Sequence, residues 1–310
     1  MGFAIANNTF KCYDKTKNWN KLMNSIGLLL PSDPMNERVA DPEFCIEATE
    51  ARELGIPVTL VDHNSLSSSE SISFRKLPEK GSKLVYRGWM ANTEEYANMY
   101  SALQLRGFQM LSTPENYASA HHIVGWYNIF KEFTPKTVIL PPRPDTATIL
   151  KFGAELGVEA FVVKDFVKSR KYEWDTACYS PDLAHLPSIV NEFICLQEEY
   201  LTGSVVVREF VKLDKTKPEV RVWWANMKPA LITPHPDNPD AVIESIDIKY
   251  LALLQEKVKE LNSSFITTDL AKDLDDNWVL IEVGDGQVSG LPSTASKNEI
   301  ISLLFALTTE

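Results

Sequence analysis

The chain has no apolar run that reaches the roughly 18 residues of a membrane-spanning helix, which excludes a transmembrane protein of that kind. Cysteine is scarce. The four present (Cys12, Cys45, Cys178, Cys195) form no CxxC pair and no metal-ligand spacing, which excludes a disulfide scaffold and a zinc-type site and suits reduced thiols in the cytoplasm. Positive charge is short as well: 31 Lys and Arg stand against 42 Asp and Glu, for a net charge of −11. That balance excludes general nucleic-acid binding but is compatible with a local basic groove for a nucleotide. The first residues, Met-Gly-Phe-Ala-Ile-Ala-Asn-Asn, lack the charged start and long apolar core of a signal peptide. They also lack the Ser or Thr at position 6 of a myristoylation signal. No internal repeat is visible. What is there is an ordinary globular composition, 44 % hydrophobic and 24 % charged over 310 residues, enough for two or three compact units.

The first third alternates strand and helix. Apolar runs at residues 25–31, 57–61, 83–89 and 108–111 read as strands. Between them, Asp41-Pro42 opens a helix that runs to Leu54 and stops at Gly55, and Thr93 caps another through Arg106. This order predicts a parallel sheet covered by helices. A helix is expected from Pro114 to about Phe133, with His121 and His122 inside it, then a strand at 137–140 and a helix at 146–156 capped by Asp145. Further strands are expected at 160–165, 204–213, 220–226 and 231–233, and helices at 188–201, 247–261 and 298–307. The expected boundary lies near residue 115, dividing an N-terminal α/β domain (1–115) from a second region (116–310).

The chemistry concentrates late in the chain. Phe265 to Gln287 reads as two strands joined at an Asp-rich turn. With Asp275 and Asp276 as the turn centre, Asp269 falls opposite Glu282, where like charges destabilise unless a cation joins them. Magnesium suits such a pair, because it takes one or two carboxylates and fills its other positions with phosphate oxygens and water. On the hairpin alone, a solvated sheet face explains the two acids as well.

Upstream, the strand Phe161-Val-Val-Lys164 breaks into a basic loop carrying Lys168, Arg170 and Lys171. A lysine ending an apolar strand needs a partner, and a polyphosphate would supply one. A solvated basic loop is the alternative. The strand Val205 to Val211 carries Arg208, Glu209 and Phe210 and suits the edge of an adenine ring, or is a strand with one exposed ion pair. Glu219-Val-Arg221 places its acid and base on one strand face, where Arg221 can hold a phosphoryl or carboxylate oxygen. Arg87 ends an N-terminal strand, where open α/β sheets bind ligands, and is expected to hold a substrate carboxylate, or else to form a surface ion pair. His235, between Pro234 and Pro236, reads as a turn residue.

The order of these parts over residues 115–310 resembles the ATP-grasp superfamily, most closely the clade marked by one arginine and two lysines. The resemblance implies an α/β plus α+β fold: an N-terminal α/β pre-ATP-grasp domain on the substrate side, then a two-subdomain ATP-grasp core that binds ATP and magnesium. It implies Lys164 and Lys171 as the phosphate lysines, and Arg208, Glu209, Phe210 and Val211 at the adenine strand. Asp214 would meet the ribose, and Arg221 the transferring phosphoryl group. Asp269 and Glu282 would be the metal carboxylates. Relatives often carry Asn where this chain has Gly284, so Asp285 or Gln287 is the expected substitute. The implied activity is a carboxylate–amine ligase that works through an acylphosphate, on small-molecule or peptide substrates, with a protein partner also open. The alternative is an ATP-binding adaptor similar to an assembly factor of translation initiation. A phosphotransferase on the same nucleotide site is a third reading.

Overall fold

Leu28, Leu29 and Leu30 are all fully buried, and a strand without an exposed face belongs at the centre of a sheet covered on both sides. The computed structural model describes residues 26–68, 72–79 and 81–308 and puts that strand there. Cys12 and the N-terminal octapeptide lie outside the described residues. β1 (Ile26–Asp33) lies between β3 (Val58–Val61) and β5 (Lys83–Tyr86), parallel to both, and β6 (Gln109–Met110) extends the parallel run. Two antiparallel strands were not legible in the sequence. β2 (Asn36–Ala40) folds back on β1, and β4 (Phe74–Arg75) lies on the outer side of β3. The mixed α/β architecture accords with the expectation.

The helices α1 (Cys45–Leu54) and α2 (Thr93–Leu105) cover this sheet. A short turn capped by Asp41 leads into α1, which ends at Gly55 in the left-handed region, φ 80°. The cap of α2 is Asn92 and not Thr93: Asn92 and Glu95 exchange side-chain and backbone bonds in a capping box. The expected helix from Pro114 is broken in two, α3 (Pro114–His121) and α4 (Ile123–Phe130). His122 turns extended between them, and the Ile123 amide bonds the Phe166 carbonyl.

Packing divides the chain into two units, neither of them continuous. Unit 1 holds the described residues up to Ala120, Pro218–Asp269 and the chain from Val283. Unit 2 holds His121–Lys217 and Leu270–Glu282. In unit 1, β11 (Val220–Ala225) pairs with β12 (Lys228–Pro234). The helix α7 (Ile248–Leu261), capped by Asp247, follows. The C-terminal helix α8 (Lys297–Thr308) packs Leu303, Leu304 and Leu307 into one cluster with Leu28, Leu30, Ala48 and Ala51.

Unit 2 is built on an antiparallel sheet in the order β7 (Thr137–Ile139), β10 (Val206–Glu209), β8 (Phe161–Lys164), β9 (Tyr179–Ser180). Phe161, Val163 and Val207 pack one of its faces against Ile149 and Leu156 of α5 (Thr146–Leu156) and Ile189, Val190 and Phe193 of α6 (Leu186–Gln197). Each such side chain stabilises by about 1.5–3 kcal/mol when fully buried. The alternation of β8 and β10 then presents Lys164, Val206 and Arg208 on the other face.

The strands β13 (Phe265–Lys272) and β14 (Trp278–Asp285) run from one unit into the other and join the sheet order β12-β11-β13-β14. Their turn is one residue longer than expected. Asp273 pairs with Asn277, and Asp276 sits in the left-handed region at φ 67°. At the far end Phe265 pairs with Gly286, so β14 accommodates one residue more than β13 between these points. The expected register therefore fits the Phe265 end and not the turn.

Candidate active site

Lys164 is anchored at the end of β8, its side chain 8 % exposed, and its ammonium lies 3.2 Å from Oε1 of Glu282, which keeps 41 % of its exposure. Burial pushes the Glu282 carboxyl up. Lys164 foremost, with Arg208 and Lys171, outweighs that and holds it below the usual carboxylate range. Arg208 is fixed beside this pair by bonds to the Ile281 carbonyl (2.9 Å) and the Thr134 hydroxyl (2.7 Å), with the ring of Trp126 at 5.9 Å. Burial lowers the Arg208 guanidinium to about 10, which leaves it charged at neutral pH. His121 belongs to the same neighbourhood, and burial lowers it to about 4, so it is neutral there. Unit 2 thus brings Lys164, Arg208 and Glu282 together.

Asp165, which the sequence reading passed over, organises the basic loop. It is 1 % exposed. One oxygen accepts the amides of Val167 and Lys168, and the other accepts Gln197 Nε2 and the Thr202 amide. Arg170 also reaches Gln197 and pairs with Glu173 at 3.5 Å. Lys171 is exposed and opens a short turn whose next residue, Tyr172, is fully exposed at 101 %. The loop leads to Trp174, whose ring stacks on Tyr179 at 5.5 Å. Both rings meet Phe210 edge-on, at 6.0 and 4.8 Å. Phe210 therefore sits in an aromatic trio. Glu209 bonds the Lys136 backbone amide at 3.2 Å, and Val211 is half-buried. Asp214 holds its own turn through Thr216, bonds that keep its carboxyl below the usual range.

The second cluster lies in unit 1. Arg221 on β11 forms a two-pronged pair with Asp269 on β13, at 2.7 and 2.8 Å. Its third edge donates to the Gly290 carbonyl at 3.0 Å, and Nη2 lies 3.1 Å from His235 Nε2. His235 is more than a turn residue: its ring also approaches Asp269 (3.6 Å) and Asp237 (3.6 Å). Glu219, His235 and Asp269 each offer a donor atom within 4.8 Å of one another, a set compatible with a cation. The Arg221 guanidinium already supplies positive charge there.

Two expectations need correction. Arg87 is not an open guanidinium at a sheet edge. It is 1 % exposed, pairs with both oxygens of Glu47 (2.9 and 2.7 Å), and donates to the carbonyls of Gly286 and Ser289. Asp285 does not take over from the absent Asn. Its side chain is 0 % exposed, and burial raises it to about 7. Gln287 donates twice to its Oδ1, while Oδ2 has no partner among the described residues. Gln287 is buried on Tyr86 and Tyr96 and is no substitute either. The space over Gly284 faces the hydroxyls of Thr267 and Ser289, which bond each other at 2.8 Å.

Residues 152–304 match a family model for an ATP-grasp domain, family 3 of the clade marked by one arginine and two lysines. Over those residues the chain carries an ATP-grasp domain of that clade. No curated protein sequence matches it. Solved ATP-grasp structures share its fold at low identity. D-cycloserine synthetase DcsG superposes with a TM-score of 0.61 at 16 % identity, covering 91 % of this chain and 97 % of its own. The ATP-grasp ligase PsnB, complexed with precursor peptide PsnA2 and AMPPNP, gives 0.58 at 12 %, over 92 % and 98 %. The D-alanine-D-alanine ligase from Coxiella burnetii gives 0.58 at 9 %, over 91 % and 95 %. No helix among the described residues is long and apolar enough to cross a membrane.

Proposed function

We propose that the chain is an ATP- and magnesium-dependent ligase that joins a carboxylate to an amine. The observation that carries this is a repeated pairing on an ATP-grasp fold. Each unit holds one cation suited to phosphate against one carboxylate suited to magnesium: Lys164 with Glu282, and Arg221 with Asp269. Magnesium binds through one or two carboxylates together with phosphate oxygens, so a metal–nucleotide complex offers a partner to both members of such a pair. In this reading Lys164, Lys171 and Arg208 neutralise phosphate charge, and Glu209, Phe210 and Val211 line the base with Asp214 toward the ribose. Arg221 stabilises the transferring phosphoryl group, while Glu282 and Asp269 ligate magnesium. The γ-phosphoryl group passes to the substrate carboxylate, and the amine displaces phosphate from the acylphosphate. The side chains contribute positioning and charge.

An amino acid or peptide carboxylate is the proposed substrate, which the names of the similar structures support. The test is incubation with ATP, magnesium and pools of amino acids and peptides, with mass spectrometry for ADP and a new amide. Burial of Arg87 favours one second reading, because the guanidinium expected to meet a substrate carboxylate is already taken up by Glu47. An ATP-binding assembly protein would bind nucleotide in the same experiment and yield neither product.

Lys164→Ala is expected to weaken ATP binding about 10- to 100-fold, the size of a lost charge-assisted bond. Lys168→Ala, on an exposed position, should have little effect. Equal small losses in calorimetry would remove Lys164 from the phosphate site. Trypsin cleavage after Lys168, Arg170 and Lys171 should slow when ATP and magnesium are added. Unchanged cleavage would show that the basic loop does not cover the nucleotide.

A further inference from the structure

The segment Gly286–Gly290 follows β14 directly, and four of its carbonyls meet named donors. Arg87 Nη1 takes those of Gly286 and Ser289, the Gly88 amide takes that of Gln287 at 3.0 Å, and Arg221 Nη1 takes that of Gly290. Three of these four bonds thus come from the two residues that follow β5. Arg87 is itself held flat. Glu47 on α1 binds its other edge, and its guanidinium lies 5.3 Å from the ring of Trp223 and 5.9 Å from that of Phe265. The segment is close-packed against the same ring, since a Cβ on Gly286 would come within 2.7 Å of Phe265. Ser289 adds a bond from its hydroxyl to the Asp285 carbonyl.

The geometry points to Arg87, with Glu47, as a positioning residue that acts on Arg221 through this strap. Arg221 has Asp269 on one edge and the Gly290 carbonyl on another. Asp269 lies on a regular strand. Gly290 lies in a loop, and that loop is fixed chiefly by what Arg87 and Gly88 bind. A guanidinium aimed at a phosphoryl group needs both edges set, because misplacement by about 1 Å costs on the order of 100-fold in rate. A buried ion pair is a poor means of stabilising a fold, since apolar residues of similar size often replace one without loss. Its donors to the Gly286 and Ser289 carbonyls are what apolar residues cannot supply. This inference rests on the ligase reading for its kinetic consequence and not for its geometric one.

The test is the double variant Glu47→Met/Arg87→Met, which removes both charges and keeps the volume, with Glu47→Gln as the milder form should the double variant fail to fold. The Arg221 Nε–H resonance, assigned by its disappearance in Arg221→Lys, is expected to shift or broaden while the tryptophan indole resonances persist. Turnover should fall by about 100-fold, with KM for ATP changed less than about twofold because nucleotide binding itself is untouched. In the Arg221→Lys background the clamp variant should cost little more, since both changes remove one positioning effect. An unmoved Arg221 resonance, or losses that simply add, would overturn the proposal and leave Arg87 a structural residue. If the wild-type protein forms no ADP with any carboxylate, the ligase reading falls, and the resonance alone decides the clamp.

Discussion

Glu282→Gln is expected to abolish magnesium-dependent turnover and at the same time to strengthen binding of metal-free ATP. The side chain is 41 % exposed and is held by Lys164 at 3.2 Å. In the wild-type protein a phosphate must take Lys164 away from that carboxylate, and magnesium offsets the loss by taking Glu282 itself. Without metal, Glu282 is left beside incoming negative charge. The neutral amide removes both the competition and the metal ligand. Metal-free affinity should therefore rise about tenfold, as for one charge-assisted bond no longer broken, and the gain from added magnesium should vanish. Calorimetry in EDTA and in magnesium measures both, and unchanged affinities would take this pair out of the nucleotide site. Asp269→Asn should also end turnover, but at a different cost. Asp269 and Arg221 are 5 % and 10 % exposed, and removing one member of a buried pair costs about 3–5 kcal/mol. The bare hairpin suggested that two repelling acids would be relieved by neutralisation. The folded chain gives each acid its own cation, so that relief is not expected.

Asp285→Asn is expected to stabilise the protein at neutral pH. The Asp285 carboxyl is raised from 3.8 to about 7, above all by burial. Below about pH 4 the folded and unfolded states both hold its proton and it has no effect on stability. As pH rises toward 7 the unfolded chain loses that proton while the folded chain keeps it, so stability falls. Above 7 the loss is complete, and a shift of this size corresponds to about 4 kcal/mol. Asparagine is neutral throughout and keeps an acceptor for the two Gln287 donors. Denaturant unfolding at pH 4.5 and at pH 8 should show the variant gaining on the wild-type protein much more at the higher pH. An equal difference at both would mean that Asp285 is ionised in the folded state.

Much of this was legible because local chemistry determines it. The caps Asp41 and Asp145 and the stop at Gly55 mark helix ends by bonds within a few residues. Lys164 and Glu282 stood out because a charge in an apolar strand demands a partner, and they prove to be partners of each other. Arg87 misled for the same reason. Its partner Glu47 lies 40 positions away on α1, and the Gly286 carbonyl 199 away, distances over which a strand-end arginine has no local signal. Asp285 looked like a ligand because exposure cannot be read from an acid beside glycines. Asp165 was passed over because it follows Lys164, although an acid directly after a strand is a recurrent loop anchor.

The C-terminal helix has a consequence for synthesis. Leu303, Leu304 and Leu307 close the same cluster as Leu28 and Leu30, with Trp223 and Phe265 between them in sequence. In synthesis, the cluster around β1 therefore waits for residues made much later. At roughly 5–20 residues per second that delay is on the order of tens of seconds. During it, that cluster stays open on the side where α8 will pack against α1, β11 and β12. A fragment beginning at residue 116 would lack β1, β3 and β5 altogether and would leave α8 with β11 and β12 but without α1.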